Sequence, residues 1–198
     1  MTKYQIIYAD PPWDYKGQLQ HTGKGGKDSG GATRHYGCMK LPELKKLDVA
    51  GLCDEDCLLF MWVTSPHLKQ GIDLGEAWGF KYKSNIIWQK IRKDGEPDGR
   101  GVGFYFRNTT EMLLFGVKGK NVRTLKPGRT QVNVIKSRKR EHSRKPDEQY
   151  KIIEECSWGP YLELFARGKR KKWTVWGNES KFYSINWKTY KNNSSVKL

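Results

Sequence analysis

Residues 4–13, Tyr-Gln-Ile-Ile-Tyr-Ala-Asp-Pro-Pro-Trp, carry the pattern that decides the fold. The first six, YQIIYA, form a short apolar, β-branched run with the composition of a strand. Two prolines then fix φ and remove two backbone N–H groups, so the chain must leave any ladder at Asp10 and turn stiffly. Further strands are predicted at residues 57–63 (CLLFMWV), 84–91 (SNIIWQKI), 111–117 (EMLLFGV), 161–166 (YLELFA) and 173–176 (WTVW). CLLFMWV is apolar throughout, as in strands covered on both faces. Helical spacing predicts helices over residues 41–47, 67–78 (ended near Gly79) and 146–156, the last with acids in its first turn. Strands alternating with helices predict an α/β sheet with helices on both faces. Such sheets bind ligands at the carboxyl ends of their strands, around a switch in strand order.

The chain has 198 residues, the length of one ordinary domain. Eight Trp, ten Tyr and seven Phe supply a bulky core, which a disordered polyelectrolyte would not carry. No apolar run approaches the roughly 20 residues needed to cross a bilayer. The start, MTKYQIIYADPPW, lacks a basic-then-apolar secretory pattern, so the expectation is a soluble cytoplasmic protein without a membrane partner. The four cysteines are irregularly spaced and the four histidines complete no zinc pattern around them, so neither a metal site nor a disulfide framework is expected. Residues 18–31 (QLQHTGKGGKDSGG) and 92–103 (RKDGEPDGRGVG) have the composition of mobile loops.

Charge says more. Lys and Arg number 37 against 21 Asp and Glu, a net charge of +16. Eleven of the bases fall between Lys118 and Lys145 beside the single acid Glu141, and residues 167–172 (RGKRKK) add five. Such clustering predicts a partner with a phosphate backbone, that is, nucleic acid. The tight group Lys136, Arg138, Lys139 and Arg140 is the strongest candidate for backbone contact, within a basic connection over residues 121–140 expected to be ordered only in part.

The corner Asp10-Pro11-Pro12-Trp13 is the candidate catalytic segment. It leaves the Asp10 carboxylate and the Asp10 and Pro11 carbonyls as acceptors at a strand end, with the Trp13 ring beside them. Those groups suit a planar base bearing an exocyclic amine, the acceptors taking its two hydrogens and the aromatic its ring face. Read without its context, the same corner is only a rigid turn capped by an Asp.

D-P-P-W after a hydrophobic strand, followed by His35, Tyr36, Gly37 and Met39, resembles the DPPW-motif adenine-N6 methyltransferases, the family of the eukaryotic mRNA adenosine methyltransferase catalytic subunit. LLFMWV, NIIWQ, EMLLFGVKG, HSRKPDE, ELFAR and WGN follow in the family's order, covering about residues 4–180. The resemblance implies a Rossmann-like methyltransferase sheet of seven strands and S-adenosylmethionine as methyl donor. It implies donor contacts at Asp10 (ammonium), Lys145 (carboxylate), Arg167, Gly168, Asn178 and Glu179, and stacking of the target base on Trp13 and Tyr36. Lys169 and Arg170 stand where the eukaryotic subunit has a His-Asn pair.

The expected function is therefore methylation of the N6 amine of adenine in DNA by a single domain over residues 1–183, with residues 184–198 as a flexible tail. An RNA adenosine methyltransferase and a catalytically silent nucleic-acid-binding subunit remain the alternatives. The family's frequent pairing leaves a homodimer open, although no apolar stripe in the sequence calls for one.

Overall fold

The computed structural model describes residues 2–14, 37–100, 105–120, 122–140 and 144–178. Residues 18–31 and the 184–198 segment lie outside these.

Seven strands make one mixed sheet in the order β5-β3-β4-β2-β1-β6-β7. They are β1 (Tyr4–Ala9), β2 (Cys53–Val63), β3 (Lys81–Ile91), β4 (Thr110–Lys118), β5 (Val134–Arg138), β6 (Tyr161–Leu164) and β7 (Trp173–Trp176). β1 pairs in parallel with β2 on one side and β6 on the other. β6 is parallel to β7 and β3 to β5, while β4 runs antiparallel to both its neighbours. The chain winds outward from β1 in one direction, then returns to build β6 and β7 in the other. The switch in strand order therefore falls between β1 and β6, where a crevice must open. Asp10 sits there.

Alternation along β1 explains the two cores. Ile7 and Ala9 face one layer with Leu59, Met61, Val63, Leu74, Trp78 and Leu162. Ile6 and Tyr8 face the other with Leu58, Phe60, Trp62, Leu113, Ile153 and Trp173. The first layer is closed by α1 (Leu41–Lys45), α2 (Val49–Leu52) and α3 (Leu68–Ala77), the second by α5 (Glu148–Cys156). Helices thus cover both faces, as the alternation requires. The buried indoles find acceptors: Trp13 Nε1 donates to the Trp62 carbonyl, Trp62 Nε1 to Tyr8 Oη and Trp78 Nε1 to the Leu44 carbonyl.

Three elements differ from the sequence pattern. The helix expected from His67 opens with a 3₁₀ turn, Ser65–His67, before α3, which gives way at Gly79 with φ +88°. The basic connection over residues 121–140 contains α4 (Lys126–Thr130) and β5, so its described part is folded. It also divides the basic run. β4 ends at Lys118, opposite Cys57 at the sheet's amino end, whereas β5 ends at Arg138 opposite Ile91 at the carboxyl end. Lys118–Lys145 is therefore not one continuous track. Among the described residues no helix is long and apolar enough to cross a membrane, and no group of three His, Cys, Asp or Glu is placed to hold a metal.

Two glycines of α3 separate packing from propensity. A Cβ on Gly71 would lie 2.3 Å from Val63 Cγ1 and 3.1 Å from Leu114 Cδ1, whereas one on Gly75 would meet Leu59 Cδ2 at an ordinary 3.4 Å. Gly75→Ala is expected to stabilise by about 0.5–1 kcal/mol through helix propensity. Gly71→Ala is expected to destabilise by about 1–3 kcal/mol through overpacking. Denaturation midpoints of the two variants check this; equal shifts would refute it.

Candidate active site

The DPPW corner is held by its own backbone. The Pro11 carbonyl accepts from Trp13 N at 2.9 Å and the Pro12 carbonyl from Met39 N at 2.9 Å. A carbonyl has two lone pairs, so Pro11 keeps one for another donor. Trp13 is only 6% exposed, and one ring face lies on the His67 imidazole, centroids 5.4 Å apart. His67 Nε2 meets the Asp14 carbonyl at 3.2 Å, and its Nδ1 meets Thr64 Oγ1 at 2.9 Å. A carbonyl only accepts, so Nε2 carries the proton and Nδ1 accepts from the hydroxyl. Burial lowers the imidazole pKa, in keeping with a neutral ring. Trp13 is thus a fixed wall of the corner, and this packing presents no open face for the base stacking expected of it. Tyr36 lies outside the described residues.

Three strand ends and the segment before α5 bring charges of alternating sign together. Lys145 Nζ lies 3.0 Å from Asp10 Oδ2 and 3.4 Å from Glu111 Oε2, and Glu111 also pairs with Lys90. Asp10 follows β1, Lys90 is the penultimate residue of β3, Glu111 the second of β4, and Lys145 precedes α5. Burial raises the Asp10 pKa despite Lys145, leaving a carboxylate more basic than usual. Burial alone would raise Glu111 too, but Lys145 and Lys90 overcompensate and hold it below the usual range. Burial opposes charge on Lys145; Asp10 and Glu111 outweigh it and keep the ammonium firmly protonated. Glu111 escaped the sequence reading because its partners are distant in sequence. A lysine near the end of one strand and a carboxylate near the start of the next was the available signal.

Beside this chain lies a solvent-open cleft lined by Asp10, Lys145, Arg167 and Gly168 together with Tyr8, Gln149 and Glu163. Four of the expected donor contacts therefore share one cleft. Its floor is made by β6, after which Phe165 takes φ +62°, a left-handed conformation unusual for a bulky residue. That turn sends Arg167 and Gly168 to the rim. Gly177 lies so close to the Ala166 backbone that a Cβ would sit 2.3 Å from its carbonyl oxygen. Asn178 follows it, exposed and not part of the cleft lining, and Glu179 lies outside the described residues. Tyr8 Oη accepts from Gln149 Nε2 at 3.0 Å, while the buried Gln149 Oε1 has no hydrogen-bond partner. Tyr150 Oη donates to Glu163 Oε1 at 2.9 Å, and the Arg170 guanidinium lies 3.5 Å over the Tyr150 ring.

The basic quartet divides. Lys136 is exposed on β5. Lys139 pairs with the buried Asp98 at 3.1 Å, and the Arg140 side chain, 8% exposed, pairs with Asp147. Arg144 and Arg170 converge on the same carboxylate. Lys139 and Arg140 are structural cations, contrary to the expectation that density of like charge set all four aside for a polyanion. The buried Asp98 anchors the first and the partly buried Asp147 the second.

The MT-A70 family matches residues 4–179. The type II methyltransferase M.MunI of a Mycoplasma species is 36% identical over 192 residues, covering 89% of this chain and 78% of its own. A putative N(6)-adenosine-methyltransferase of Medicago truncatula is 34% identical and the human N(6)-adenosine-methyltransferase catalytic subunit METTL3 is 32% identical, each over 89% of this chain. The chain spans only 26% and 28% of those two. The chain belongs to the MT-A70 family of adenine-N6 methyltransferases.

Glu163 makes the site pH-sensitive. Burial pushes its carboxyl up to about 7, against the opposing Tyr150 hydrogen bond. Folding thus favours the protonated form. That stabilisation is complete below the usual carboxylate range and is lost as pH rises through about 7, by about 3 kcal/mol in all. Glu163→Gln should remove this slope, narrowing the stability difference between pH 5 and pH 8 in chemical denaturation. An unchanged pH profile would refute it.

Proposed function

We propose that this chain uses S-adenosylmethionine to methylate the N6 amine of adenine in nucleic acid, with DNA the preferred substrate. The observation that carries the reading is the Asp10 carboxylate, held 3.0 Å from Lys145 beside the Pro11 carbonyl at the switch in strand order.

The cleft's donor set fits the cofactor. An amino-acid end brings one ammonium and one carboxylate, and the cleft offers the Asp10 and Glu163 carboxyls with the Lys145 and Arg167 cations. The partnerless Gln149 Oε1 is a buried acceptor at the same wall, awaiting an N–H or O–H. Asp10, Lys145, Arg167 and Gly168 would hold the amino-acid end, with Asn178 and Glu179 toward the ribose. Bound there, S-adenosylmethionine would supply an electrophilic sulfonium methyl group.

The protein's own part is positioning and electrostatics. The N6 lone pair of adenine is delocalised into its ring and is poorly nucleophilic. Asp10 and the second lone pair of the Pro11 carbonyl accept the two amine hydrogens, drawing the nitrogen toward a tetrahedral geometry. Lys145 keeps Asp10 ionised, while its burial leaves it basic enough to take up a proton released by the amine. In duplex DNA the base must first leave the stack, at a cost of a few kcal/mol.

The preference for DNA is supported by the higher identity to the type II methyltransferase M.MunI, 36%, than to the adenosine methyltransferases of Medicago truncatula and human, 34% and 32%. Incubation with labelled donor and matched DNA and RNA oligonucleotides is expected to label adenine in DNA faster; faster labelling of RNA would reverse the substrate. Asp10→Asn, which keeps the shape and removes the charge, should lower kcat at least about 100-fold. Wild-type turnover in that variant would overturn the mechanism.

Lys136 and Arg140 provide a paired test of backbone contact. Lys136→Gln should weaken oligonucleotide binding and reduce the log–log salt slope by about 0.9 on duplex DNA without changing Tm. Arg140→Gln should lower Tm, because it removes one of the three guanidiniums that hold Asp147 and the one that reaches Glu148. Equal effects of the two on Tm would refute the division.

A further inference from the structure

We propose that Tyr105 and Phe106 form a stacking platform for the nucleobases that flank the target adenine. Tyr105 is 85% exposed and Phe106 84%, whereas Trp13, Trp62, Trp78 and Trp88 are buried. Two adjacent aromatic rings in water lose apolar burial and contribute nothing to the core. Their place in the fold gives them a use. They stand shortly before β4, and β4 opens at the carboxyl end of the sheet, with Met112 opposite Val63. Phe106 stands five positions before Glu111, so the chain holds its Cα within about 18 Å of that of Glu111, a member of the Asp10–Lys145–Glu111 cluster. Stacked nucleotides repeat every 3.4 Å or so, which puts the platform within about five nucleotides of the target.

The surroundings select the occupant. The Thr109 carbonyl accepts from Lys90 N at 2.8 Å, and Asp98 N donates to the Lys90 carbonyl at 2.7 Å, so both ends of the described loop are tied to β3. Asp98 in turn anchors Arg100 at 2.7 Å and Lys139 at 3.1 Å, and the Arg100 side chain stays 73% exposed. Arg107 is exposed directly after the pair. Cations beside exposed π faces match a strand that presents phosphates and unstacked bases together. A purely apolar partner would leave Arg107, and the excess of two cations on the single Asp98 carboxylate, uncompensated. Every base has a π face, so the platform is tolerant of sequence and suits neighbours left unstacked when an adenine is drawn out.

This inference rests on the nucleic-acid substrate proposed above, and its test separates the two. Binding of a fluorescent single-stranded DNA oligonucleotide with one adenine is measured for the parent, Tyr105→Ala/Phe106→Ala and Tyr105→Trp/Phe106→Trp. The alanine pair should weaken binding at least about fivefold for each ring that stacks. The tryptophan pair should restore it. Donor affinity and Tm should not move, and the salt slope should stay constant because no charge is removed. A parent that binds and an alanine pair that binds equally well overturn the platform alone. A parent that binds neither DNA nor RNA overturns the substrate reading and the platform with it. An alanine pair that loses self-association in sedimentation, with oligonucleotide affinity intact, makes the rings a protein contact and also overturns the platform.

Discussion

Everything at the carboxyl end of the sheet depends on one partly buried chain of alternating charges: Asp10, Lys145, Glu111 and Lys90. No member is stable there alone, since an isolated ion taken from water costs several kcal/mol. Together they compensate, and their four backbone origins mean that β1, β3, β4 and the start of α5 must be in register before the charges can meet. The same arrangement that makes the cleft polar therefore also pins its walls. A ligand carrying both charges can replace a Lys–Asp contact without leaving either partner bare. A neutral ligand cannot.

How much of this was legible in sequence follows from what is local. The YQIIYA strand, the stop at the two prolines, the end of α3 near Gly79 and the WTVW strand each declare themselves through composition within a few residues. β5 does not. Its five residues, VIKSR, bury one side chain, Ile135, and are a strand because β3 offers them a parallel edge. α4 and α2 are too short for a helical period to show. In the site, Asp10 and Lys145 carry motif context, whereas Glu111 is an ordinary residue near the start of a strand until tertiary structure sets two lysines against it. Trp13 is a related case: composition shows an aromatic at the corner but not the imidazole of His67 lying on one of its faces.

The positive charge of the chain divides by the same logic. Counting bases along residues 118–145 treats every one as available. Yet Lys118 donates to the Ala50 carbonyl, Lys139 is anchored by Asp98, and Arg140, Arg144 and Arg170 share Asp147. These cations hold loops together. Their charge still contributes to the long-range field, because one carboxylate shared by three guanidiniums leaves the cluster net positive, and that field steers a polyanion regardless of which cation it finally touches. On the proposed function, contact is a narrower property that would fall to exposed groups such as Lys136 and Arg107.

The separation of roles has a physical consequence for selectivity. Phosphate contacts hold a strand in place but carry no sequence information, and stacking is nearly as indifferent to the base. On the proposed function, the groups that would recognise the target amine are the acceptors at the DPPW corner, the Asp10 carboxylate and one free lone pair on Pro11. Acceptors alone would take an exocyclic amine from cytosine as readily as from adenine. Discrimination must then come from shape, from how far the amine projects from the ring edge. The corner is suited to such a test because little in it yields: two prolines fix its φ angles, Trp13 is bonded to the Trp62 carbonyl, and His67 fills the space behind the indole. A softer corner would adapt to either amine. Rigidity that looks structural in isolation is therefore the most direct source of base selectivity that the described residues offer.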